Sequence, residues 1–258
     1  MKSFALAAFA ATTILAGPAA AQSVAALVGD DTLAIVDVGM KKVTKSMKIT
    51  GISGKLHGFD VRPADGMLYG LVSDGTVVTI DTATGKATMK SKLDNMLAAG
   101  VTGTVDFNPV ADRMRIIGSD GSNLRANVDD GKVAVDMKLK FAETDMHKGE
   151  TPKVVAAAYT NSVKGAKETA LYDVDATIGA LLKQAPPNDC VLNAVGKFGV
   201  TAANWAFDIS TAGETNTGWL MGDSTLYSVD LATGKATSVG KIEGVTGIVR
   251  KISVLPKT

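Results

Sequence analysis

The chain has few of the residues that metal sites, disulfides and catalytic centres use. Its 258 residues include only one Cys and two His, and aromatic side chains make up 5%. One Cys excludes an internal disulfide, and two histidines without close spacing match no metal-ligand signature. Lys and Arg number 27 against 26 Asp and Glu, so no net field gathers phosphate backbones. We therefore expect no metal, no cofactor and no nucleic-acid partner.

Catalytic motifs are missing as well. No Gly-x-Ser-x-Gly sequence occurs, which disfavours a hydrolase nucleophile elbow. The Gly-Lys-Ala-Thr sequences at 85–88 and 234–237 differ from a phosphate-binding loop, because Ala separates Lys from the hydroxyl that must reach magnesium. Cys190 is expected to be a buried apolar residue, as free Cys usually is. The sequence therefore identifies no reaction.

The first 21 residues have the pattern of a secretory signal peptide. Lys2 precedes an apolar stretch over residues 4–17, and the segment ends in Ala19–Ala21. No later run approaches the roughly 18 apolar residues of a membrane span. We predict cleavage after Ala21, a periplasmic or secreted protein without membrane insertion, and a single domain over residues 22–258.

A unit of about 47 residues recurs along the rest of the chain, and it consists of short apolar strands separated by turn dipeptides. Residues 67–88 and 219–237 contain the same strands and turns, and residues 114–133 contain a looser copy. A further strand precedes each unit, at residues 58–63, 105–109, 157–161 and 206–209. Four strands per unit are typical of a propeller blade, and the chain length allows about five units. We therefore predict an all-β fold, a five-bladed β-propeller.

The fifth blade has to be assembled from both ends of the chain. Residues 249–254 are expected to supply its inner strand, and residues 24–28, 33–37 and 43–49 its outer strands. Such sharing closes the ring and removes exposed sheet edges. The structural alternative is a two-sheet sandwich. We disfavour it because the turn sequence Asp-x-x-Thr-Gly-Lys recurs at corresponding points, starting at Asp81 and Asp230.

Three segments carry weaker patterns. The blade after Pro152 is expected to have three strands, because only two short runs follow its leading strand clearly. Residues 184–189, which contain two prolines, indicate a loop. Residues 94–99 are the only segment in which we predict a turn or two of helix.

Polar residues follow the leading strands at equivalent points. These candidates for ligand binding are Arg62, Asn108, Asn161 and Ser210. In a ring of blades they would gather near one mouth of the channel. The alternative is that they cap the turns between strands.

Three arginines, Arg113, Arg115 and Arg125, occur within thirteen residues. Arg115 and Arg125 are expected on adjacent strands, where they would present a fork for a carboxylate or phosphate. The alternative is that each arginine pairs with an acid such as Asp112 or Asp129 and stabilises the blade.

Several of these motifs, taken together and in order, resemble a family of secreted bacterial proteins, Domain of Unknown Function 4394. The resemblance spans nearly the whole mature chain and rests on residues 58–64, 106–109, 112–115, 123–125, 156–161, 171–175 and 186–189. It implies a propeller-like repeat domain and an exported protein, and it assigns no activity or catalytic residue. After the Pro-Pro-Asn-Asp run the family more usually has Gly where this chain has Cys190, which disfavours cysteine chemistry.

Our leading hypothesis is a non-enzymatic, monomeric propeller that binds a small ligand or a partner protein at one mouth of its ring. The alternative is a hydrolase that acts on a sugar or lactone in the central channel. It would need a pair of carboxyls about 5 to 9.5 Å apart. Asp60, Asp106 and Asp208 recur on the inner strands and are the candidates for such a pair.

Overall fold

The computed structural model of the chain describes residues 22–256, so the predicted signal peptide lies outside the described residues. Twenty-one β-strands form five sheets, and the only helix in this range is a single 3-10 turn at Pro187–Asp189. No helix among the described residues has the length and hydropathy needed to cross a bilayer. The prediction of a five-bladed, all-β propeller is confirmed.

Each sheet is one blade, and its strands are as follows. Blade I contains β1 (Ser23–Val28), β2 (Thr32–Asp37), β3 (Lys42–Lys48) and the last strand, β21 (Val249–Val254). Blade II contains β4 (Leu56–Val61), β5 (Leu68–Val72), β6 (Thr76–Ile80) and β7 (Ala87–Lys92). Blade III contains β8 (Gly103–Asn108), β9 (Arg113–Gly118), β10 (Asn123–Ala126) and β11 (Val133–Val135). Blade IV contains β12 (Lys140–Phe141), β13 (Val154–Tyr159), β14 (Leu171–Asp175), β15 (Ala180–Gln184) and β16 (Val191–Lys197). Blade V contains β17 (Trp205–Ala212), β18 (Thr215–Gly222), β19 (Thr225–Val229) and β20 (Ala236–Lys241).

The innermost strands surround a central axis in the order β21, β4, β8, β13 and β17, and each contacts the next. In blade I the strand order is β21-β1-β2-β3, so the sheet contains residues from both ends of the chain. Strand β21 pairs antiparallel with β1, with Ala26 opposite Ile252.

The hydrophobic core is divided into five layers, because each blade buries its faces against its neighbours. Between blades II and III, the Tyr69 and Phe107 rings meet edge to face with centroids 5.5 Å apart. Between blades IV and V, Phe198 and Trp205 stand at the same distance. Aromatic side chains, though few, are therefore placed where two blades meet.

Asp side chains cap the two turns with the recurring Asp-x-x-Thr-Gly-Lys sequence. The Asp81 carboxylate accepts the Ala83 N–H at 2.7 Å, and Asp230 accepts the Ala232 N–H at 2.8 Å. Gly85 completes the first of these turns with a φ of 73°, a conformation that glycine adopts without strain. The two Gly-Lys-Ala-Thr sequences are thus hairpin turns.

Three of our local predictions were wrong. Blade IV has five strands, because β16 and the short parallel strand β12 join it. Gln184 belongs to β15 and Pro187–Asp189 forms the 3-10 turn, so this segment is not all loop. Residues 94–99 form no helix, since the Asp94 carboxylate accepts the Val133 N–H at 3.0 Å and ties the segment to blade III.

Cys190 is fully buried between blades III and IV, as expected. Its backbone has a φ of 60°, in the left-handed region that glycine adopts most easily. The Sγ atom accepts a hydrogen bond from Asn123 Nδ2 at 3.1 Å. Burial raises the pKa of this thiol, so it is unsuited to act as a nucleophile at neutral pH.

Candidate ligand-binding site

One residue of each inner strand lies at the same height on the channel axis, and together these residues form a ring that we call the belt. Its members are Asp60, Asp106, Ala158, Asp208 and Ser253. The side chains of Asp60, Asp106, Asp208 and Ser253 each accept an N–H from the inner strand of the following blade. The donors are Phe107 for Asp60 (2.9 Å), Tyr159 for Asp106 (2.9 Å), Val254 for Asp208 (2.6 Å) and Val61 for Ser253 (3.2 Å).

The belt is interrupted at Ala158, whose methyl group cannot accept a hydrogen bond. The corresponding N–H of blade V belongs to Ile209, and it is accepted by the Asp208 carboxylate of the same strand at 2.7 Å. Asp208 therefore accepts two N–H groups, that of Ile209 in its own strand with Oδ1 and that of Val254 in blade I with Oδ2. The Asp carboxyls on the inner strands are thus turned into hydrogen bonds that hold blades together.

Two residues before the belt, four inner strands carry a small residue and one carries a long side chain. The small residues are Gly58, Thr104, Ala156 and Ala206, and the long one is Lys251. Lys251 is fully buried, and its Nζ lies 3.1 Å from Asp106 Oδ2 and 3.4 Å from the carbonyl oxygens of Ala157 and Phe207. Lys251 thus extends from blade I to polar atoms of blades III, IV and V.

The belt carboxyls are close enough to repel one another. Oxygens of Asp60, Asp106 and Asp208 lie within 4.8 Å of one another, a separation at which they could share a cation. The cation beside them is the Lys251 ammonium. Burial raises the pKa of all three carboxyls, that of Asp208 to about 7, and their mutual repulsion adds to the shifts of Asp106 and Asp208.

The charge of Lys251 opposes those shifts. Burial alone lowers the pKa of Lys251, but the charges of the surrounding carboxyls offset it, and the net shift is upward. One ammonium and three carboxyls in a buried space cannot all be charged at low cost. The cluster therefore retains protons on its carboxyls near neutral pH.

A cavity of about 370 Å³ opens at the end of the channel where the inner strands end, which we call the C-end mouth. Asp60 and Asp208 line it together with the hydroxyl residue Ser210 and apolar residues such as Val163 and Leu255. This cavity is the candidate binding site, because polar groups with altered protonation converge in it.

A larger cavity of about 930 Å³ is a groove between blades I and II. Its charged lining residues are Lys45, Asp81 and Lys86, all on outer parts of the blades. None of the belt carboxyls faces it. Size alone therefore does not make it the better candidate.

Arg62 holds two blades together. Its guanidinium lies 2.6 Å from Asp112 Oδ2 and 2.7 Å from Asp129 Oδ2, and it stacks over the Tyr69 ring at 5.6 Å. The side chain is 9% exposed, and hydrogen bonding by Asp112 raises the pKa of the guanidinium further. Asn108 caps a turn, since its Oδ1 accepts the Val110 N–H at 2.9 Å.

Two arginines of blade III lie on adjacent strands as predicted, but they pair with an acid other than Asp112 or Asp129. Arg115 and Arg125 are opposite each other on β9 and β10, and both hydrogen-bond to Asp136 at 2.8 Å. Arg115 is almost fully buried and also donates to the Tyr159 hydroxyl at 2.9 Å. Arg113 lies elsewhere and donates to main-chain carbonyls.

Of the polar residues that follow the leading strands, only Ser210 lines the cavity at the C-end mouth. Asn161 accepts a hydrogen bond from Asn216 Nδ2 at 2.8 Å and donates to the Glu168 carbonyl. The register places Thr160, and not Asn161, at the equivalent point. Sequence reasoning missed Lys251 and Ser253, although a lysine inside an apolar inner strand is an unusual feature that could have identified them.

Comparison with known proteins supports the fold and gives no activity. A structure from Bacteroides thetaiotaomicron VPI-5482, described as a structural genomics protein of unknown function, matches with a TM-score of 0.56 and 14% identity. The match covers 93% of this chain and 66% of that one. A Bacteroides caccae protein of unknown function matches with a TM-score of 0.43 and 14% identity, over 84% of this chain and 72% of that one. No curated protein matches this chain.

The sequence profile of one family, described as a domain of unknown function (DUF4394), matches residues 32–252. The match begins in blade I, includes the inner strands of blades II to V and ends within β21. This chain therefore belongs to the DUF4394 family.

Proposed function

We propose that the protein is an exported, monomeric, single-domain propeller that binds a small ligand in the cavity at the C-end mouth. The observation that carries the proposal is the pair of buried carboxyls, Asp60 and Asp208, that line this cavity above the axial Lys251. A cavity of about 370 Å³ suits a ligand the size of a monosaccharide or a small amine.

The chemistry of the lining favours a ligand that donates hydrogen bonds. A carboxyl with a pKa of about 7 accepts from a hydroxyl or an ammonium when ionised and donates when protonated. Val163 and Leu255 add apolar surface for a carbon skeleton. We therefore propose a polyol or an amine as the ligand class.

Binding is favoured over catalysis because the carboxyls already have structural partners. Each oxygen of Asp60 accepts one hydrogen bond, from the Ser253 hydroxyl at 2.7 Å and from the Phe107 N–H at 2.9 Å. A carboxyl that moved to reach a substrate would break contacts between blades. One observation favours a hydrolase as the second candidate, namely that the pKa of Asp208 lies where a general acid works at neutral pH.

The test is a substitution that fills the cavity and leaves every residue of the belt unchanged. Val163 lines the cavity and is 43% exposed, so Val163→Trp should block the mouth and leave the core intact. Val110, 47% exposed in a turn of blade III, offers the matched control Val110→Trp. We expect a panel of sugars, polyols and amines to raise the melting temperature of the wild type and of Val110→Trp, but not of Val163→Trp.

Three results would count against this function. If no compound of the panel binds, or if binding survives in Val163→Trp, the C-end mouth is not the site. If a sugar or lactone is consumed, and the rate is lost in both Val163→Trp and Asp208→Asn, the hydrolase is the correct alternative.

A further inference from the structure

The opposite end of the channel, where the inner strands begin, holds a second cavity of about 240 Å³ that we call the N-end mouth. Residues from the starts of all five inner strands line it, among them His57, Thr104, Val154, Trp205 and Arg250. Lys251 lies between the two mouths on the axis, so this cavity is separate from the one lined by Asp60 and Asp208.

The lining of the N-end mouth is basic. Its ionisable residues are His57, Lys153 and Arg250, and it contains no Asp or Glu. A cleft whose charged groups share one sign concentrates ions of the opposite sign. The charge of the cavity therefore favours an anion.

Arg250 has hydrogen-bond donors to spare. Its Nη1 forms an ion pair with Asp30 Oδ1 at 3.1 Å and donates to the carbonyls of Leu56 at 3.1 Å and Gly29 at 3.4 Å, which fix the guanidinium beside the cavity. Its Nε and Nη2 make no hydrogen bond with the described residues. Two neighbouring N–H groups of a fixed guanidinium match the two oxygens of a carboxylate or phosphate.

Thr104 has a donor without an acceptor. The residue is 4% exposed, and its Oγ1 is buried without a hydrogen-bond partner among the described residues. A buried hydroxyl left unpaired costs about 1–3 kcal/mol. An anion oxygen in the cavity would supply the missing acceptor.

His57 is the third relevant group, because its pKa would change when an anion binds. It is 9% exposed, and its ring makes no hydrogen bond with the described residues. Burial lowers its pKa, and the charge of Arg250 lowers it further. The groups that face it in the cavity are Lys153 and Arg250, both cationic, so a bound anion would reverse the shift.

From these observations we propose that the N-end mouth binds a small oxyanion, with a phosphate or carboxylate group held by Arg250, Thr104 and Lys153. The volume admits inorganic phosphate or a short carboxylic acid and excludes a nucleotide. This site is independent of the one proposed at the C-end mouth.

The experiment titrates the full-length mature protein with inorganic phosphate and, separately, with succinate, by calorimetry at constant ionic strength with chloride as the balancing anion. We expect saturable binding of one ligand per chain, and the stronger of the two titrations identifies the oxyanion class. Thr104→Val should weaken binding about fivefold or more while the melting temperature is unchanged or higher, because the unpaired hydroxyl is removed. Lys153→Gln should also weaken it.

Lys197→Gln is the matched control, since Lys197 is exposed on blade IV and outside the cavity. It should bind phosphate as the wild type does. A second readout is the NMR titration of His57, whose pKa should rise when phosphate is added. The proposal is overturned if neither anion binds saturably, if Lys197→Gln weakens binding as much as Lys153→Gln, or if the pKa of His57 does not move.

Discussion

The two mouths of the channel are made from opposite ends of the same five strands, yet the ionisable groups of one are acidic and those of the other are basic. Asp60 and Asp208 line the C-end mouth, whereas His57, Lys153 and Arg250 line the N-end mouth. Lys251 lies between them, beside the belt carboxyls. The repeat makes the blades similar in backbone, but a few side chains at equivalent heights give each end its own chemistry.

The largest effect is expected from removing β21, which carries the residues that separate the two mouths. A chain ending at Gly247 lacks Lys251 and Ser253, leaves β1 without its partner strand and exposes the inner strands on either side. Because no disulfide holds the ends, we expect aggregation and no cooperative melt. Soluble yield and a thermal melt are the measurements. A well-folded monomer would contradict the role assigned to β21.

Lys251→Met removes only the ammonium that lies between the two mouths, because Met has a side chain of similar length. Without the ammonium, three carboxyls are left in a buried space with no cation, and breaking such a buried pair costs about 3–5 kcal/mol. The loss should be smaller at pH 5 than at pH 7.5, because protonated carboxyls do not repel. Urea unfolding at both pH values measures it, with Lys197→Met as the exposed control. Equal losses at the two pH values would argue against electrostatic balance.

Asp173 allows two contributions to the pH dependence of stability to be separated, that of the carboxyls in the channel and that of a carboxyl within a blade. It lies off the axis in blade IV, both of its oxygens are buried without partners, and burial raises its pKa to about 8, with a further contribution from Asp175. The folded chain therefore holds a proton that the unfolded chain, with a pKa of 3.8, releases. This group lowers stability as the pH rises from about 4 to about 8.

Asp173→Asn should remove the part of the pH dependence of stability that Asp173 causes. We expect its melting temperature to exceed that of the wild type by a few degrees at pH 8 and by less at pH 5, since 1 kcal/mol shifts a domain of this size by about 2–4 °C. We assign the pH dependence of stability that remains in this variant to Asp208 and the other belt carboxyls. If the melting temperature of Asp173→Asn changes with pH as much as that of the wild type, the axial cluster alone determines the pH dependence of stability.

Arg62 tests whether a residue at the end of an inner strand serves the mouth or the blades. Arg62→Ala leaves Asp112 and Asp129 facing each other without their shared cation, so we expect the melting temperature to fall by several degrees. Arg113→Ala, which loses only bonds to main-chain carbonyls, should change it little. An unchanged melting temperature in Arg62→Ala would favour a role in ligand binding.

Local chemistry explains what could be predicted from the sequence. The recurring turn from Asp81 to Lys86 specifies a hairpin by itself, so the repeat and the propeller followed from it. Strand β12 was missed because its partner β16 lies about fifty residues further along the chain. The two acids of blade III that Arg62 binds are 50 and 67 residues away, and nothing in the intervening sequence marks them.

The candidate site was harder to predict than these contacts, because its residues come together only in the closed ring. Lys251 belongs to blade I, and its partners, Asp106 and the carbonyl oxygens of Ala157 and Phe207, come from three other blades. Such complementarity appears only when the blades are placed around a common axis.

The smallest effect is expected from completing the belt. Ala158→Ser puts a hydroxyl where Ser253 has one, and it should accept the Ile209 N–H as Ser253 accepts that of Val61. One hydrogen bond gained in place of another is worth at most about 1 kcal/mol. The melting temperature should therefore rise by no more than a few degrees.

The sharper readout of Ala158→Ser is the protonation of Asp208. Its carboxylate would lose the Ile209 N–H, one of the contacts that hold its pKa down, so that pKa should rise above about 7. Ala156→Ser, two residues earlier on the same strand, is the control and should leave the pKa unchanged, because no belt N–H is within its reach. Carboxyl NMR of both variants makes the measurement. If the pKa of Asp208 is unchanged in Ala158→Ser, the break in the belt does not determine the chemistry of the C-end mouth.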